Sequence, residues 1–224
     1  MRLPLVNKIN AIEWYVPHYN PSIGQQIILM EQIVKKIPTE LQYVEKSVFM
    51  KELNTQNLWT FELGTQEGIN VPIWIIVGFQ QQDRQNSQNE NNDTFYRPPV
   101  TSAQCIIGTE KYPDSAILLN YNDDDYNQGY GEIKKVFKAL TKDDILQPYI
   151  SDNDFRSSNN NNDIGYNIYI FEIRFQKNFE SAQPIKVEFK FHGVVPAGIY
   201  GYALVLTNKK TSLSSDGNRH FDLI

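Results

Sequence analysis

Between Tyr166 and Thr207 the side chains alternate so regularly that few folds remain open to the chain. Ile185, Val187, Phe189 and Phe191 are interleaved with Lys186, Glu188 and Lys190. A period of two sends every large apolar group to one face of an extended strand. Tyr169, Phe171, Ile173 and Phe175 repeat the pattern just upstream, and Ala203 to Leu206 read as a strand covered on both faces. Strands with one heavy apolar face need a second layer to cover them, and the rest of the chain must supply it.

The remaining sequence supports an all-β reading. With 13 Tyr and 12 Phe in 224 residues, the composition suits packed sheets better than a helical bundle. Strands are expected over Leu41–Leu53, Leu58–Leu63, Val71–Phe79, Ser102–Tyr112 and Ser115–Tyr121, with a short one at Ile12–Val16 around Trp14. The polar breaks Asn54–Asn57 and Gly64–Gly68 read as hairpin turns. Val71–Phe79 is nearly continuous in apolar residues, as in a strand buried on both faces or set against a neighbouring subunit. Gln80–Asn92 and Ser157–Asp163 are polar tracts that cannot enter a core, and are expected as exposed loops.

Two helices interrupt the strands. Ser22 and Gln25 form a capping-box pattern ahead of Ile23, Ile27, Met30, Val34 and Ile37 at helical spacing, with Pro38 as the stop. After Asn122–Gly131, Ile133, Val136, Phe137 and Leu140 share one helical face, and Thr141–Asp144 suggests one further short turn. About eight to ten strands without a helix between most of them exclude a parallel α/β fold. The expectation is an antiparallel two-sheet jelly-roll sandwich with one or two helices in long connections. Residues 1–40 are expected as an N-terminal strand and amphipathic helix packed on the same domain, and residues 41–224 as the jelly roll, one domain overall.

Charge and cysteine usage narrow the function classes. A net charge of -5 argues against binding nucleic acid over a broad surface. Cys105 is the single cysteine, so a reducing compartment and a buried, inert thiol are expected. The segment Met1–Lys8 lacks the apolar run of a signal peptide, and no stretch approaches the roughly 20 apolar residues of a membrane span. An intracellular protein without a membrane partner follows. The acceptor pattern Asn92-Asp93-Thr94 is then read as chance.

Nothing in the sequence marks an active site. His18, His192 and His220 stand apart from Cys, Asp or Glu at zinc-ligand spacing, and no phosphate loop or nucleophile elbow is present. Asp123, Asp124 and Asp125, flanked by Asn120, Asn122 and Asn127, form the densest oxygen cluster and the one weak calcium candidate, without the bidentate Glu of an EF-hand loop. Helix capping by Asp125 and a solvated acidic turn are the plainer readings. Trp14, Trp59 and Trp74 would serve a carbohydrate platform if exposed, but each lies among apolar residues. No catalytic residue and no cofactor is implied.

Three segments resemble a known group: Lys51–Leu63, Tyr112–Asp125 and Ser214–Ile224. They are similar to double jelly-roll capsid-like proteins of invertebrate genomes, related to the major capsid proteins of Maverick/Polinton elements. The resemblance implies an assembly protein, with two tandem rolls per chain and three chains per capsomer, and it implies no catalytic residues. This chain has strands for about one roll and resembles the C-terminal one. Its expected partners are copies of itself, as trimer or hexamer, or a separately encoded N-terminal half, and a virion or capsid-like particle is the expected location. Trp74, Arg219, Phe221 and Asp222 are the candidate assembly residues, the last three in a tail that either clamps a neighbour or docks on its own sheet. The competing functional reading is a host-adopted monomeric binding module for protein or carbohydrate. An enzyme with an unrecognised site is the third.

Overall fold

The computed structural model describes residues 20–53, 56–66, 72–81, 95–120, 125–141, 150–156, 164–165, 167–174, 183–213 and 219–220. The chain falls into two compact units, Met1–Thr39 with Ser212–His220, and Glu40–Thr211 with Phe221–Ile224.

In the first unit, helix α1 spans Ile23–Val34. Its capping box forms as the sequence requires: the Ser22 backbone N–H donates to Gln25 Oε1 at 3.0 Å, and the Gln25 N–H donates to Ser22 Oγ at 3.4 Å. Lys36 follows the helix with φ 53, a left-handed residue that turns the chain out ahead of Pro38. The end of strand β10, Ile199–Leu213, pairs here with β11, Arg219–His220, opposing Ser212 to His220 and Leu213 to Arg219.

The second unit is an antiparallel sandwich. One sheet joins β1 (Thr39–Glu52), β10, β3 (Pro72–Gln81) and β8 (Ile168–Glu172), extended by the short strands β4 (Phe95–Tyr96) and β7 (Ile164–Gly165). The other runs β2 (Leu58–Gln66), β9 (Gln183–Phe191), β5 (Val100–Ile107), β6 (Glu110–Leu118). Taken in chain order, the eight longer strands pair first with last, second with seventh, third with sixth, and fourth with fifth: β1 with β10, β2 with β9, β3 with β8, β5 with β6. A long antiparallel ribbon wound around itself gives this pairing, and β10–β3 and β9–β5 close the two sheets. That winding is a jelly roll.

The pairing corrects two expectations. Asn54–Asn57 and Gly64–Gly68 do not close hairpins, because β1, β2 and β3 alternate between sheets. The hairpin among the longer strands is β5–β6, and its turn lies at Gly108-Thr109, inside the strand expected over Ser102–Tyr112, and not in the gap between that strand and Ser115–Tyr121. Gly108 takes φ +60, the left-handed geometry a tight turn needs. The strand continues through Pro113 because Gln104 Nε2 donates to the carbonyls of Pro113 and Asp114, at 2.9 and 3.3 Å, beside the ladder's irregularity between Ala103 and Cys105.

The alternating residues meet as the period demands. Phe189 sits at the centre of the core, with the rings of Trp59, Phe79, Tyr169, Phe171 and Phe191 within 6.5 Å of it. The three strands of the sequence's most regular stretch therefore cover one another, β8 and β10 from one sheet and β9 from the other. Cys105 is buried among them, and burial pushes its thiol up to about 12. An uncharged, enclosed thiol is unreactive.

Helix α2, Asn127–Thr141, packs against β8 through Tyr130, Ile133 and Val136. Leu140, expected on the same face, is exposed instead. The short helix Asp152–Arg156, not anticipated, anchors the far side: Tyr130 OH donates to the Ile150 carbonyl at 3.2 Å, and the Tyr130 and Phe155 rings lie 5.8 Å apart. The expected strand Ile12–Val16, the helical turn Thr141–Asp144 beyond its first residue, the tract Ser157–Asp163 and the loop beyond Gln81 lie outside the described residues. Gln80 and Gln81 themselves belong to β3.

Candidate assembly surface

The two outer faces of the sandwich differ in chemistry. On the β2–β9–β5–β6 sheet, Glu62, Lys186, Glu188, Lys190 and Gln104 point outward, and Lys186 and Glu188 form an ion pair at 3.4 Å. This is an ordinary solvated face.

The outer face of the other sheet is apolar. Gly201, Ala203 and Val205 of β10 face the partner sheet, so Tyr202, Leu204 and Leu206 take the other face, where Tyr202 and Leu204 are half-buried and Leu206 is buried. The register sets Leu204 beside Ile76 and Leu206 beside Trp74, while Ile76 pairs with Ile170 on β8. On β1, Phe49 packs on the core, and the alternate residues Val48 and Met50 are 68% and 56% exposed. The Leu53 N–H donates to the Ile199 carbonyl at 2.8 Å, which brings Val48 and Met50 level with Leu204 and Tyr202. Three strands at about 4.8 Å spacing thus carry one apolar row.

β1 is also the end strand of its sheet: among the described residues no strand pairs with its other side. It runs for 14 residues, longer than the short edge strands by which proteins avoid unwanted pairing. Lys209 and Lys210 of β10 hold Glu45 and Glu40 of β1 at 3.4 and 2.7 Å, tying the edge to its inner neighbour. Such partly exposed pairs contribute little stability, well under about 1 kcal/mol each.

Trp74 is 6% exposed, and its Nε1 has no hydrogen-bond partner among the described residues. The Arg174 guanidinium lies 5.7 Å from the ring centroid, and Arg174 Nε donates to Glu172, the residue opposite Trp74. Trp74 therefore forms the closed end of the apolar row. Trp59 is 1% exposed and donates its Nε1–H to the Glu52 carbonyl at 3.1 Å, so it is a core residue; Trp14 lies outside the described residues.

Arg219 is placed only as backbone in β11, and Phe221 and Asp222 lie outside the described residues. Asp123 and Asp124 also lie outside them. Asp125 is exposed, and its backbone exchanges hydrogen bonds with Asn120 at 2.7 and 2.9 Å. Among the described residues no three His, Cys, Asp or Glu side chains group to hold a metal ion. His192 is exposed, and its N–H donates to the Pro99 carbonyl; the His18 and His220 side chains are not described. No described helix is long and apolar enough to cross a membrane.

Ile76 and Leu204 lie in strands already read as covered on both faces, but Val48 and Met50 went unnoticed in the sequence, although a signal was present. β1 carries apolar residues on both parities, Leu41, Tyr43 and Phe49 on one and Val44, Val48 and Met50 on the other. A strand with one solvated face does not need the second set.

No family model and no curated protein matches the sequence. Among solved structures, the chain is similar to a cryo-EM structure of the Sputnik virophage, with 11% identity over 82% of this chain and a TM-score of 0.44. It is also similar to the crystal structure of mavirus major capsid protein, with 15% identity over 82% of this chain and a TM-score of 0.37. The chain spans 38% and 40% of the length of those two chains. The jelly roll itself follows from the strand pairing described above.

Proposed function

We propose that the protein is a structural, self-assembling subunit of capsid type that contributes one jelly roll to an oligomeric capsomer. The observation that carries this reading is the contrast between the two outer faces: one sheet is charged, while the other carries an apolar row, buried at Trp74, Ile170 and Leu206, that comes into the open at Val48 and Met50 on an edge strand whose other side no described strand pairs. Apolar surface of that kind is covered when subunits associate, and an exposed edge is satisfied by a neighbour. The resemblance to Maverick/Polinton capsid proteins points the same way. In this reading the neighbour is a second copy of the chain or a separately encoded companion roll, and the assembled particle is where the protein resides.

The test is a full-length chain carrying Val48→Glu and Met50→Glu, compared with the unsubstituted chain by sedimentation velocity. Both side chains are exposed, so the unfolding free energy from urea titration should stay within about 0.5 kcal/mol of the original. Association should be lost. Equal association of the two proteins would contradict the reading.

A further inference from the structure

Helix α1 buries none of its residues. Ile23, Ile27, Met30 and Val34 follow one another at spacings of four, three and four, which is the a and d seam of a heptad repeat. Ile23 and Val34, at the two ends of the seam, are 77% and 80% exposed. Along the helix these four side chains line a shallow concavity with Gln26 and Glu31 on its rims, the shape into which another helix sets its knobs.

We infer that α1 is a self-association element, and that three copies of the chain join through their α1 helices in a short parallel bundle. This rests on the self-assembly reading above and adds a second contact to the β1 edge within it. Two observations favour three helices over two. The a positions are the β-branched Ile27 and Val34 and the d positions include Ile23, a choice that shifts coiled coils from pairs toward higher order. Leu29 and Ile33 widen the apolar arc beyond the seam on one side and Ile28 lies beyond it on the other, as a helix touching two neighbours requires. Area argues likewise. A 12-residue helix about 18 Å long offers a single neighbour well under the roughly 800 Å² per partner that a stable pair buries. Contact with two neighbours in a ring enlarges what each helix buries. A bundle this short holds only when the attached bodies raise the local concentration of helices.

The buried, unreactive Cys105 permits a direct test in the full chain. Ile27→Cys places one accessible thiol at the seam, and Gln32→Cys places one on the opposite side of the helix. Each protein is treated with a three-armed maleimide and run on a denaturing gel, and its mass before treatment is read by light scattering. The expected result is rapid linkage of three chains for Ile27→Cys and at least tenfold slower linkage for Gln32→Cys. Oligomers in scattering without Ile27→Cys linkage, or with equal rates for the two, overturn the bundle and leave assembly standing. Linkage that stops at two chains overturns the three-fold count. Monomers throughout overturn both. Ile27→Val, which keeps the seam, should leave the scattering mass unchanged; dissociation on this substitution also counts against the bundle.

Discussion

Gly201 of β10 lies directly under the indole of Trp59 in the opposite sheet: a Cβ at position 201 would fall 2.9 Å or less from two atoms of the ring. The two sheets approach here as closely as a backbone and a ring allow, and Trp59 is held from the other end by its bond to the Glu52 carbonyl. Gly201→Ala should therefore destabilise by overpacking, about 1–3 kcal/mol, read as a lower urea midpoint at unchanged slope. Pairing it with Trp59→Phe, which shortens the ring system, should restore part of the loss. An unchanged midpoint for Gly201→Ala would show that the sheets are not in contact at this point.

Phe189 organises the core from the second sheet. Phe189→Ala removes the ring that touches five others, and should cost about 3–5 kcal/mol in equilibrium unfolding. Exposed Leu118 on β6 serves as the control, with Leu118→Ala expected within about 0.5 kcal/mol of the parent.

Asn167 is fully buried just before β8, where its Nδ2 donates to the Phe155 carbonyl at 2.7 Å. This bond ties the short helix to the sheet. Asn167→Leu leaves that carbonyl without its donor in a dry site, at a cost of about 1–3 kcal/mol. Hydrogen exchange should show the loss concentrated in residues 150–156, with β9 and β5 still protected.

Two groups make stability depend on pH in opposite directions. Burial raises the Cys105 thiol from 9.0 to about 12, so the folded state resists its ionisation. A raised acid contributes stability that is whole below 9.0 and is lost as pH climbs toward 12. Cys105→Ala should flatten that alkaline decline in unfolding midpoint. Asp154 moves the other way: hydrogen bonds from the Ser151 side chain and backbone hold its carboxyl below 3.8. Its contribution is present above 3.8 and fades as acid protonates it, so Ser151→Ala should reduce protection of the short helix at neutral pH and make it less sensitive to acid.

Much of this architecture was legible because period-two alternation depends on the chain alone. The inward residues Phe171, Phe189 and Phe191, the capping box at Ser22 and Gln25, and the inert Cys105 all follow from local pattern. What local pattern could not convey is which strand pairs with which. Asn54–Asn57 has turn chemistry whether the chain folds back beside itself or crosses to the other sheet, and only the winding of the whole ribbon decides. The β5–β6 turn was missed because Pro113 reads as a breaker, while the Gln104 amide that accommodates it lies nine residues away. The apolar outer row was hidden for a related reason. Leu204, Ile76 and Val48 come from three separate strands, and their adjacency exists only in the register.

Apolar contacts between copies should show an apolar signature. Association through the β1–β10–β3 face should strengthen in ammonium sulfate and weaken on cooling. It should also vary little with sodium chloride, since the charged pair of the same strand parity, Glu40 with Lys210, is already made within the chain. Dissociation by modest sodium chloride would point to the charged sheet instead.

The most direct measurement is the mass of the unsubstituted chain in solution by light scattering across a wide range of concentration, with electron microscopy of any large fraction. The account predicts oligomers or particles built from the 26.0 kDa chain, in proportion rising with concentration. A 26.0 kDa monomer at every concentration would contradict self-assembly by this chain.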